Sequence, residues 1–228
     1  MISMVVFDMA GTTVDEGNVV YKTLMQSINQ RGFDFSLDEI LAEGAGKEKS
    51  EAIKSILKVY GSNNNKDLAN EIYEDFEKLL AKAYEDIPVK PQPNAVELFR
   101  ILKERKIRIV LNTGYNEETA ESLVKKLNWK KGVEYDSLIS SSDVENSRPD
   151  PEMIDLAMDI YGIDDAKEVI KVGDSMIDIE EGQNAGCGIT VGITTGAHTF
   201  LQLQSANPDY IINNLMELLP IIEKSEML

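Results

Sequence analysis

An aspartate at the end of a short apolar run is the first residue in this chain that suggests chemistry. Residues 4–8 read MVVFD, and the turn-forming residues AGTT occupy positions 10–13. An apolar run of this length bounded by a turn is typical of a strand buried on both faces. At the end of such a strand, Asp8 can attack phosphorus, because backbone N–H groups and a cation can neutralise the phosphoryl oxygens. Asp8 can equally cap the turn, so this stretch alone leaves both roles open.

Three further segments place polar residues after a strand-like run or beside a proline turn. In chain order they are NTG at 112–114, RPDP at 148–151 and GDSMID at 173–178. The first follows the apolar run 109–111 and the last follows 169–172. In a parallel sheet, side chains at the carboxyl ends of neighbouring strands meet at one edge. These segments therefore predict a site that is shared with Asp8.

The carboxylates of this set suggest a metal ion. Asp8, Asp174 and Asp178 can gather around one hard cation, and Mg²⁺ fits because it prefers oxygen ligands. The simpler interpretation is a Gly-Asp turn that caps the helix after residue 173. Thr113 and Arg148 have simple interpretations too, as a strand-end cap and a surface ion pair.

Together, in this order, the four motifs resemble the signature of the haloacid dehalogenase superfamily of hydrolases, over about residues 1–196. The resemblance implies a Rossmann-like core, a mobile helical cap, magnesium as cofactor and an aspartyl-phosphate formed on Asp8. It also implies that the Ala10 carbonyl completes the metal site and that Thr113 and Gly114 bind the substrate phosphate. Arg148 is then expected to neutralise charge on the nucleophile and on the transferring group, as a planar cation suited to phosphate.

Ala10 is where the chain departs from most phosphatases of that superfamily. They place an aspartate two residues after the nucleophile, where it protonates the departing alkoxide and then activates water. The stretch DMAGTTVD at 8–15 instead resembles the motif of phosphonatases, which hydrolyse phosphonoacetaldehyde to acetaldehyde and phosphate. In those enzymes a cap lysine condenses with the aldehyde, and the resulting iminium accepts the electrons of the breaking carbon–phosphorus bond.

Lys49 is the expected imine-forming lysine. Gly46 stands three residues before it, as in the cap segment of phosphonatases. Independently of that match, at 100° per residue Lys49 lies on the same helical stripe as Ile53 and Ile56. A partly desolvated lysine has a lowered pKa, and its free amine attacks carbonyls. The alternative is a lysine at the cap edge that keeps its ammonium in water. Phosphonatases carry a histidine three residues after the lysine, where this chain has Ala52.

The elements that must position these residues are predicted to form an α/β fold. Alternating strands and helices predict a doubly wound, Rossmann-like parallel sheet with an inserted all-helical cap. We assign residues 1–14 and 91–228 to the core and 15–90 to the cap. A capping box at Ser36 and Glu39 opens one cap helix, and a polar turn is expected at 61–65.

Composition restricts the partners. The chain has 228 residues, 43% of them apolar, and a net charge of −17, which argues against nucleic acid or an anionic membrane as partner. The lone Cys187 and the lack of a long apolar run predict a cytoplasmic protein. Cys187 and Trp129 are expected to be packing residues, and His198 a surface or loop residue without a catalytic role. The resemblance also allows a homodimer paired through the cap.

The favoured interpretation is therefore a magnesium-dependent, phosphonatase-like hydrolase of a small phosphonate. The alternative is a phosphatase of a small phosphate monoester, such as a sugar phosphate or phosphoglycolate, in which Lys49 only binds the substrate. A metal-free dehalogenase would not need Asp174 and Asp178. A ligand-binding protein that lost activity through Ala10 would not need to keep the complete motif set.

Overall fold

Strands and helices alternate through most of the chain in the computed structural model, which describes residues 1–61, 66–86 and 88–225. The strands are β1 (Met4–Asp8), β2 (Val14–Asp15), β3 (Lys90–Pro91), β4 (Arg108–Thr113), β5 (Ser137–Ser140), β6 (Val169–Gly173), β7 (Ile189–Ile193) and β8 (Tyr210–Ile212). The helices are α1 (Val19–Asn29), α2 (Leu37–Gly44), α3 (Lys49–Val59), α4 (Lys66–Asp86), α5 (Ala95–Glu104), α6 (Glu117–Lys126), α7 (Glu152–Tyr161), α8 (Met176–Asn184), α9 (Phe200–Ser205) and α10 (Leu218–Ser225). All but the first residue of the predicted turn at 61–65 lies outside the described residues.

Six strands form one parallel sheet in the order β5-β4-β1-β6-β7-β8. The central strand β1 is buried on both faces, because Met4 and Val6 pack into one apolar cluster and Val5 and Phe7 into the other. This is the pattern expected of a strand covered by helices on both sides. The predicted doubly wound α/β fold is confirmed, and its register sets Asp8 beside Asn112.

The inserted cap is helical, as predicted, and consists of α1 to α4. Its interior is formed by fully buried side chains at helical spacing, among them Leu24, Ile53, Ile56 and Ile72. The predicted capping box of α2 is present: the Ser36 hydroxyl accepts from the backbone N–H of Glu39, whose carboxylate accepts from the backbone N–H of Ser36. These cap side chains belong to the same continuous apolar cluster as Val5 and Phe7 of β1.

The two chain segments that connect core and cap run side by side as the antiparallel pair β2 and β3. In this pair Val14 lies opposite Pro91 and Asp15 opposite Lys90. The domain boundaries at 14/15 and 90/91 stay a prediction. None of the helices in the described ranges is long and apolar enough to cross a membrane.

Two residues assigned to packing do pack in the core. Trp129 is buried with its ring edge toward Phe99, at 5.4 Å between centroids. Cys187 belongs to the cluster that includes Met153 and Ile154. Burial raises the pKa of the Cys187 thiol to about 12, so this side chain is a thiol rather than a thiolate at neutral pH.

Candidate active site

Asp8 lies at the carboxyl end of β1, where the chain enters a tight loop. The loop closes on one acceptor: the N–H groups of Thr12, Thr13 and Val14 all point to the Met9 carbonyl, at 2.8 to 3.2 Å. Gly11 has φ +90°, and a Cβ there would lie 2.3 Å from Asp174 Oδ2. The turn therefore requires glycine and brings the β1 loop directly against the loop after β6.

Three buried carboxylates meet at this edge. Asp8, Asp174 and Asp178 each offer an oxygen within 4.8 Å of the other two. Asp174 accepts from the Ala197 N–H at 2.5 Å, an approach that is open only because Gly196 has no Cβ. The three aspartates predicted from the sequence are thus brought together.

The electrostatics of the cluster favour a cation. Burial and the charge of Asp178 raise the pKa of Asp8 to about 6, against the effect of Arg148. Burial and the charge of Asp8 raise the pKa of Asp174 well above its ordinary value. A divalent ion that prefers oxygen ligands would stabilise the ionised forms of both carboxylates and reduce their mutual repulsion. The residues therefore fit magnesium, with Asp8 and Asp174 as the two carboxylates whose pKa values are raised.

Asp178 differs from the other two because both of its oxygens already have partners. Oδ1 lies 2.8 Å from Arg148 Nη1 and 3.2 Å from Lys171 Nζ. Oδ2 accepts from the Ser175 hydroxyl at 2.5 Å. Burial alone would raise the pKa of Asp178, but the two cations bring it below its usual value. Asp178 is thus an ionised anchor for the cationic side of the site.

Arg148 connects Asp8 to a layer of buried charged residues, which also contains Asp178, Lys171 and Glu181. Its Nη1 donates to Asp8 Oδ1 at 2.8 Å, and its Nε lies 3.0 Å from Glu181 Oε2. Its Nη2 donates to the backbone carbonyl of Asn112 at 2.7 Å and also contacts the Asn112 side chain. Although burial opposes protonation, Asp178 and Glu181 raise the pKa of Arg148 above its ordinary value. Arg148 is therefore a fixed cation beside Asp8, not a surface ion pair.

Lys171 and Glu181 complete this layer, and sequence motifs did not identify them. Lys171 is fully buried on β6, with Nζ 2.7 Å from Glu181 Oε2 and 2.9 Å from Asn112 Oδ1. Asn112 in turn donates to Glu181 Oε1 at 2.9 Å. The sequence did contain a signal for this layer, because Lys171 stands inside an otherwise apolar strand. A lysine buried in such a strand requires buried counter-charges.

The end of β4 supplies the predicted phosphate-binding residues. Thr113 is 2% exposed, and its Oγ1 accepts from the Tyr115 N–H at 3.2 Å. Thr113, Gly114 and Tyr115 line the same small cavity as Asp8 and Arg148. The structure therefore gathers the predicted phosphate-binding residues around the predicted nucleophile.

Lys49 reaches this cavity from the cap. Lys49 is only 5% exposed, and its Nζ lies 5.1 Å from the ring centroids of both Tyr21 and Tyr115. Nζ also donates to the backbone carbonyl of Lys47. Burial lowers the pKa of Lys49 to about 8, partly offset by Glu48 and Asp8. A substantial fraction of this side chain is therefore a neutral amine near pH 8.

The cap loop at residues 45–48 is seated on the core. The Gly46 N–H donates to the Tyr21 hydroxyl at 2.9 Å, and a Cβ on Gly46 would lie 2.1 Å from Ile177 Cγ2. A Cβ on Gly114 would lie 2.7 Å from the Gly46 carbonyl. Glycine is thus required on both sides of the contact that places Lys49 over Asp8.

The cavity under the cap has a volume of about 10 Å³, the space of a single water. This space is smaller than the phosphonate or phosphate ester expected as substrate. A larger cavity of about 450 Å³ beside Trp129 is not lined by Asp8, Asp174 or Asp178. The cavity is lined by Asp8, Ala10, Tyr21, Gly46, Lys49, Thr113, Gly114, Tyr115, Arg148 and Asp174.

The prediction for His198 was only half right. It lies in a loop, but it is 5% exposed rather than at the surface. Nδ1 accepts from the Met176 N–H at 2.9 Å, and Nε2 lies 3.3 Å from the Leu41 carbonyl of the cap. Its backbone N–H donates to the Asp174 carbonyl, and these polar partners explain how a histidine in a polar segment is buried.

A parallel sheet with carboxylates at its strand ends, covered by an inserted helical cap, is the architecture of a capped α/β enzyme. The family model described as haloacid dehalogenase-like hydrolase matches residues 2–186. The chain belongs to this family. Its relatives place it in the phosphonatase-like subgroup.

Two relatives agree with this placement, and a solved structure shares the fold. Phosphonoacetaldehyde hydrolase of Parabacteroides distasonis is 34% identical over 212 residues, which cover 86% of this chain and 78% of that protein. A bifunctional phosphonoacetaldehyde hydrolase/aminoethylphosphonate transaminase of Clostridioides difficile is 32% identical over 81% of this chain, which spans only 30% of that protein. The crystal structure of a phosphonoacetaldehyde hydrolase-like protein of Oleispira antarctica superposes with a TM-score of 0.83 at 23% identity, covering 98% of this chain and 92% of that one.

Proposed function

We propose that this hydrolase cleaves the carbon–phosphorus bond of a small phosphonate aldehyde such as phosphonoacetaldehyde. The observation that carries the proposal is the Lys49 amine, buried with a lowered pKa in the same cavity as Asp8 and Thr113. A buried amine of this kind suits attack on a carbonyl better than it suits binding of a phosphate. The phosphonoacetaldehyde hydrolases among the relatives support the same substrate class.

In this mechanism the neutral Lys49 amine adds to the aldehyde, and the resulting carbinolamine takes up a proton from solvent and loses water to form an iminium. Asp8 then attacks phosphorus and forms an aspartyl-phosphate, while the electron pair of the carbon–phosphorus bond moves into the iminium and leaves an enamine. Water hydrolyses the phosphate from Asp8. No acid is needed at position 10, because the iminium accepts the electrons that a departing alkoxide would otherwise carry.

The other cavity residues bind the phosphoryl group. Thr113 and Gly114 are placed to hold its oxygens, and Arg148 offsets negative charge beside Asp8. Magnesium held by Asp8, Asp174 and the Ala10 carbonyl would neutralise further phosphoryl charge. Asp178 acts on the same site by fixing Arg148 through the ion pair at 2.8 Å.

The decisive experiment measures phosphate released from phosphonoacetaldehyde with and without magnesium. The wild type is expected to turn over only with magnesium, and Lys49→Arg is expected to lose the activity because its guanidinium cannot form the imine. Lys58→Arg is the control, since Lys58 is exposed on the same helix α3. Borohydride with substrate should add mass at Lys49 in the wild type. Normal turnover by Lys49→Arg would overturn the imine.

A second candidate is hydrolysis of a small phosphate monoester, which Ala52 favours. Ala52 stands where phosphonatases carry a histidine, and it is fully buried in the cap core. In this case Lys49 would bind the substrate by charge alone. Release of phosphate from a panel of monoesters, but not from phosphonoacetaldehyde, would select this function over the first.

A further inference from the structure

A second cap side chain faces the cavity beside Lys49. Tyr21 lies on α1 and is 6% exposed, and its ring stands 5.1 Å from Lys49 Nζ. Its hydroxyl accepts the Gly46 N–H at 2.9 Å. This contact uses an oxygen lone pair and leaves the hydroxyl proton for another acceptor. Within the described ranges, Gly46 is the hydrogen-bond partner of this hydroxyl.

The surroundings of Tyr21 keep that proton in place. Burial, followed by the charges of Asp174 and Asp8, raises the pKa of Tyr21 well above its ordinary value. Tyr21 lines the same cavity as Asp8 and Asp174, so its side chain lies close to the reacting end of that cavity. Tyr21 is therefore a neutral O–H donor beside the carboxylates, at neutral pH.

The proposed carbon–phosphorus cleavage creates a need for a proton at this position. Once phosphorus has left, the enamine on Lys49 must be protonated at its terminal carbon, which lies two bonds from Nζ. The iminium that results must then be attacked by a water that loses a proton. Neither Ala52 nor Ala10 has a side chain that can transfer a proton, whereas Tyr21 lines the cavity and carries a hydroxyl.

We propose that Tyr21 is the proton-transfer residue that completes the imine chemistry of Lys49, an inference that rests on the proposed carbon–phosphorus cleavage. Its O–H gives a proton to the enamine carbon, and the new C–H bond regenerates the iminium while a phenolate remains. The phenolate takes a proton from the water that adds to the iminium carbon. The carbinolamine then releases acetaldehyde and the free Lys49 amine, with Tyr21 protonated again.

Tyr21→Phe isolates this role, because it keeps the ring against Lys49 and removes only the hydroxyl. Imine formation and carbon–phosphorus cleavage do not require the hydroxyl, so the variant should release about one phosphate per active site in a burst. Later turnovers should slow on the order of 10²-fold or more, the usual size of a lost proton transfer. Acid quenching with cyanoborohydride during the steady state should give N-ethyl-Lys49, the trapped product of the stalled enamine.

Tyr60→Phe is the matched control, since Tyr60 ends cap helix α3 and is 36% exposed. It should show no burst and no change in rate. If Tyr21 only positions the cap loop, the first and later turnovers of Tyr21→Phe will slow together, and no N-ethyl-Lys49 will accumulate. Steady-state turnover within about threefold of wild type would also overturn the proposal.

The failure of the proposed function has a different signature. In that case the wild type itself gives no phosphate from phosphonoacetaldehyde and no adduct at Lys49. An active wild type combined with a Tyr21→Phe variant that shows no burst would reject the role of Tyr21 alone.

Discussion

Lys49 shows how one residue can be costly for the fold and useful for chemistry. A lysine that is 5% exposed loses most of the hydration of its ammonium, and the two tyrosine rings return only part of that loss. The consequence is a pKa of about 8, which supplies free amine near neutral pH. The same burial therefore predicts both a pH profile and a stability effect.

The pH profile follows from the fraction of free amine. Because the pKa of Lys49 is about 8, kcat/KM for an aldehyde phosphonate should rise close to tenfold per pH unit below 8 and level off above about 9. Measurements between pH 6.5 and 9.5 at saturating magnesium test this. A profile that is flat from pH 6.5 to 8 would show that Lys49 does not act as a free amine.

The stability effect has the opposite sign to the activity effect. Lys49→Met should abolish turnover but raise the free energy of unfolding at pH 7 by about 1 to 2 kcal/mol, the desolvation cost less the contacts to two rings. In the wild type the folded pKa is lowered, so between pH 8 and 10.5 the unfolded chain binds more protons and stability rises with pH. The difference in free energy of unfolding between Lys49→Met and the wild type should be largest below pH 8 and should decrease towards pH 10.5. Urea unfolding at pH 7 and 10 measures both points, and a destabilised variant at pH 7 would contradict the prediction.

Removing one charge from the buried layer of charged residues beside Asp8 should cause a large loss of stability. Lys171→Met leaves Asp178 and Glu181 with one cation fewer in a site from which water is excluded, and should cost about 3 to 5 kcal/mol. The exposed pair of Arg100 and Glu104 is the control, since Arg100→Met should cost less than about 1 kcal/mol. Adding Glu181→Met to Lys171→Met should recover part of the loss. Equal costs for the buried and the exposed variants would mean that the layer is not held by charge.

At the scale of elements, the cap loop and the strand ends act as one unit. Gly46 and Gly132 both have positive φ, +76° and +85°, but only Gly46 has neighbours where a Cβ would stand. Gly46→Ala should therefore push the loop away from Ile177 and displace Lys49. Gly132→Ala carries the same backbone strain without a clash.

These two variants separate strain from cap closure. Both should lose about 1 kcal/mol of stability from the positive φ, and Gly46→Ala should lose more because of its clash with Ile177. Only Gly46→Ala should lower kcat/KM, on the order of 10²-fold, since small displacements of a reacting group are costly. Thermal unfolding and steady-state kinetics on the pair give the two readouts. A Gly46→Ala variant with normal kcat/KM would show that the loop contact does not position Lys49.

The elements, and the positions of the motif residues at the strand ends, could be predicted from the sequence because each has a local signal. Buried strands are continuous apolar runs, and Asp8, Thr113 and Asp174 follow three of them directly. The helical stripe of α3 likewise placed Lys49 among apolar side chains. Such signals need only neighbouring residues, so no tertiary structure is required to find them.

The residues that were missed depend on contacts between distant segments. Tyr21 reads as one more apolar position of α1, and only the cap loop brings Gly46 to its hydroxyl. Glu181 reads as a solvent-facing position of α8, and only β6 brings Lys171 to it. His198 is buried by partners from α2 and α8, which no local pattern of its loop reveals.

At the scale of the whole molecule, negative charge dominates. The chain has 40 acidic against 23 basic residues, so a phosphonate dianion is repelled at long range. At the sheet edge, Asp178 and Glu181 are matched by Arg148 and Lys171, while Asp8 and Asp174 repel each other. Attraction of an anionic substrate must therefore come from the local cations and from a divalent ion held by these two carboxylates.

This imbalance predicts that magnesium stabilises the fold and that Asp174 mediates the effect. Magnesium at 100 times its Kd should raise the free energy of unfolding by about 2.7 kcal/mol and should raise the Tm accordingly. Asp174→Asn should lose that shift, yet without magnesium it should be at least as stable as the wild type, because it removes a buried charge that repels Asp8. Asp159→Asn, an exposed change of equal charge on α7, should keep the full shift. Thermal unfolding with magnesium or with EDTA tests all three proteins. The opposite effects of Asp174→Asn with and without magnesium arise only if Asp174 itself binds the ion. An undiminished magnesium shift in Asp174→Asn would therefore place the metal elsewhere.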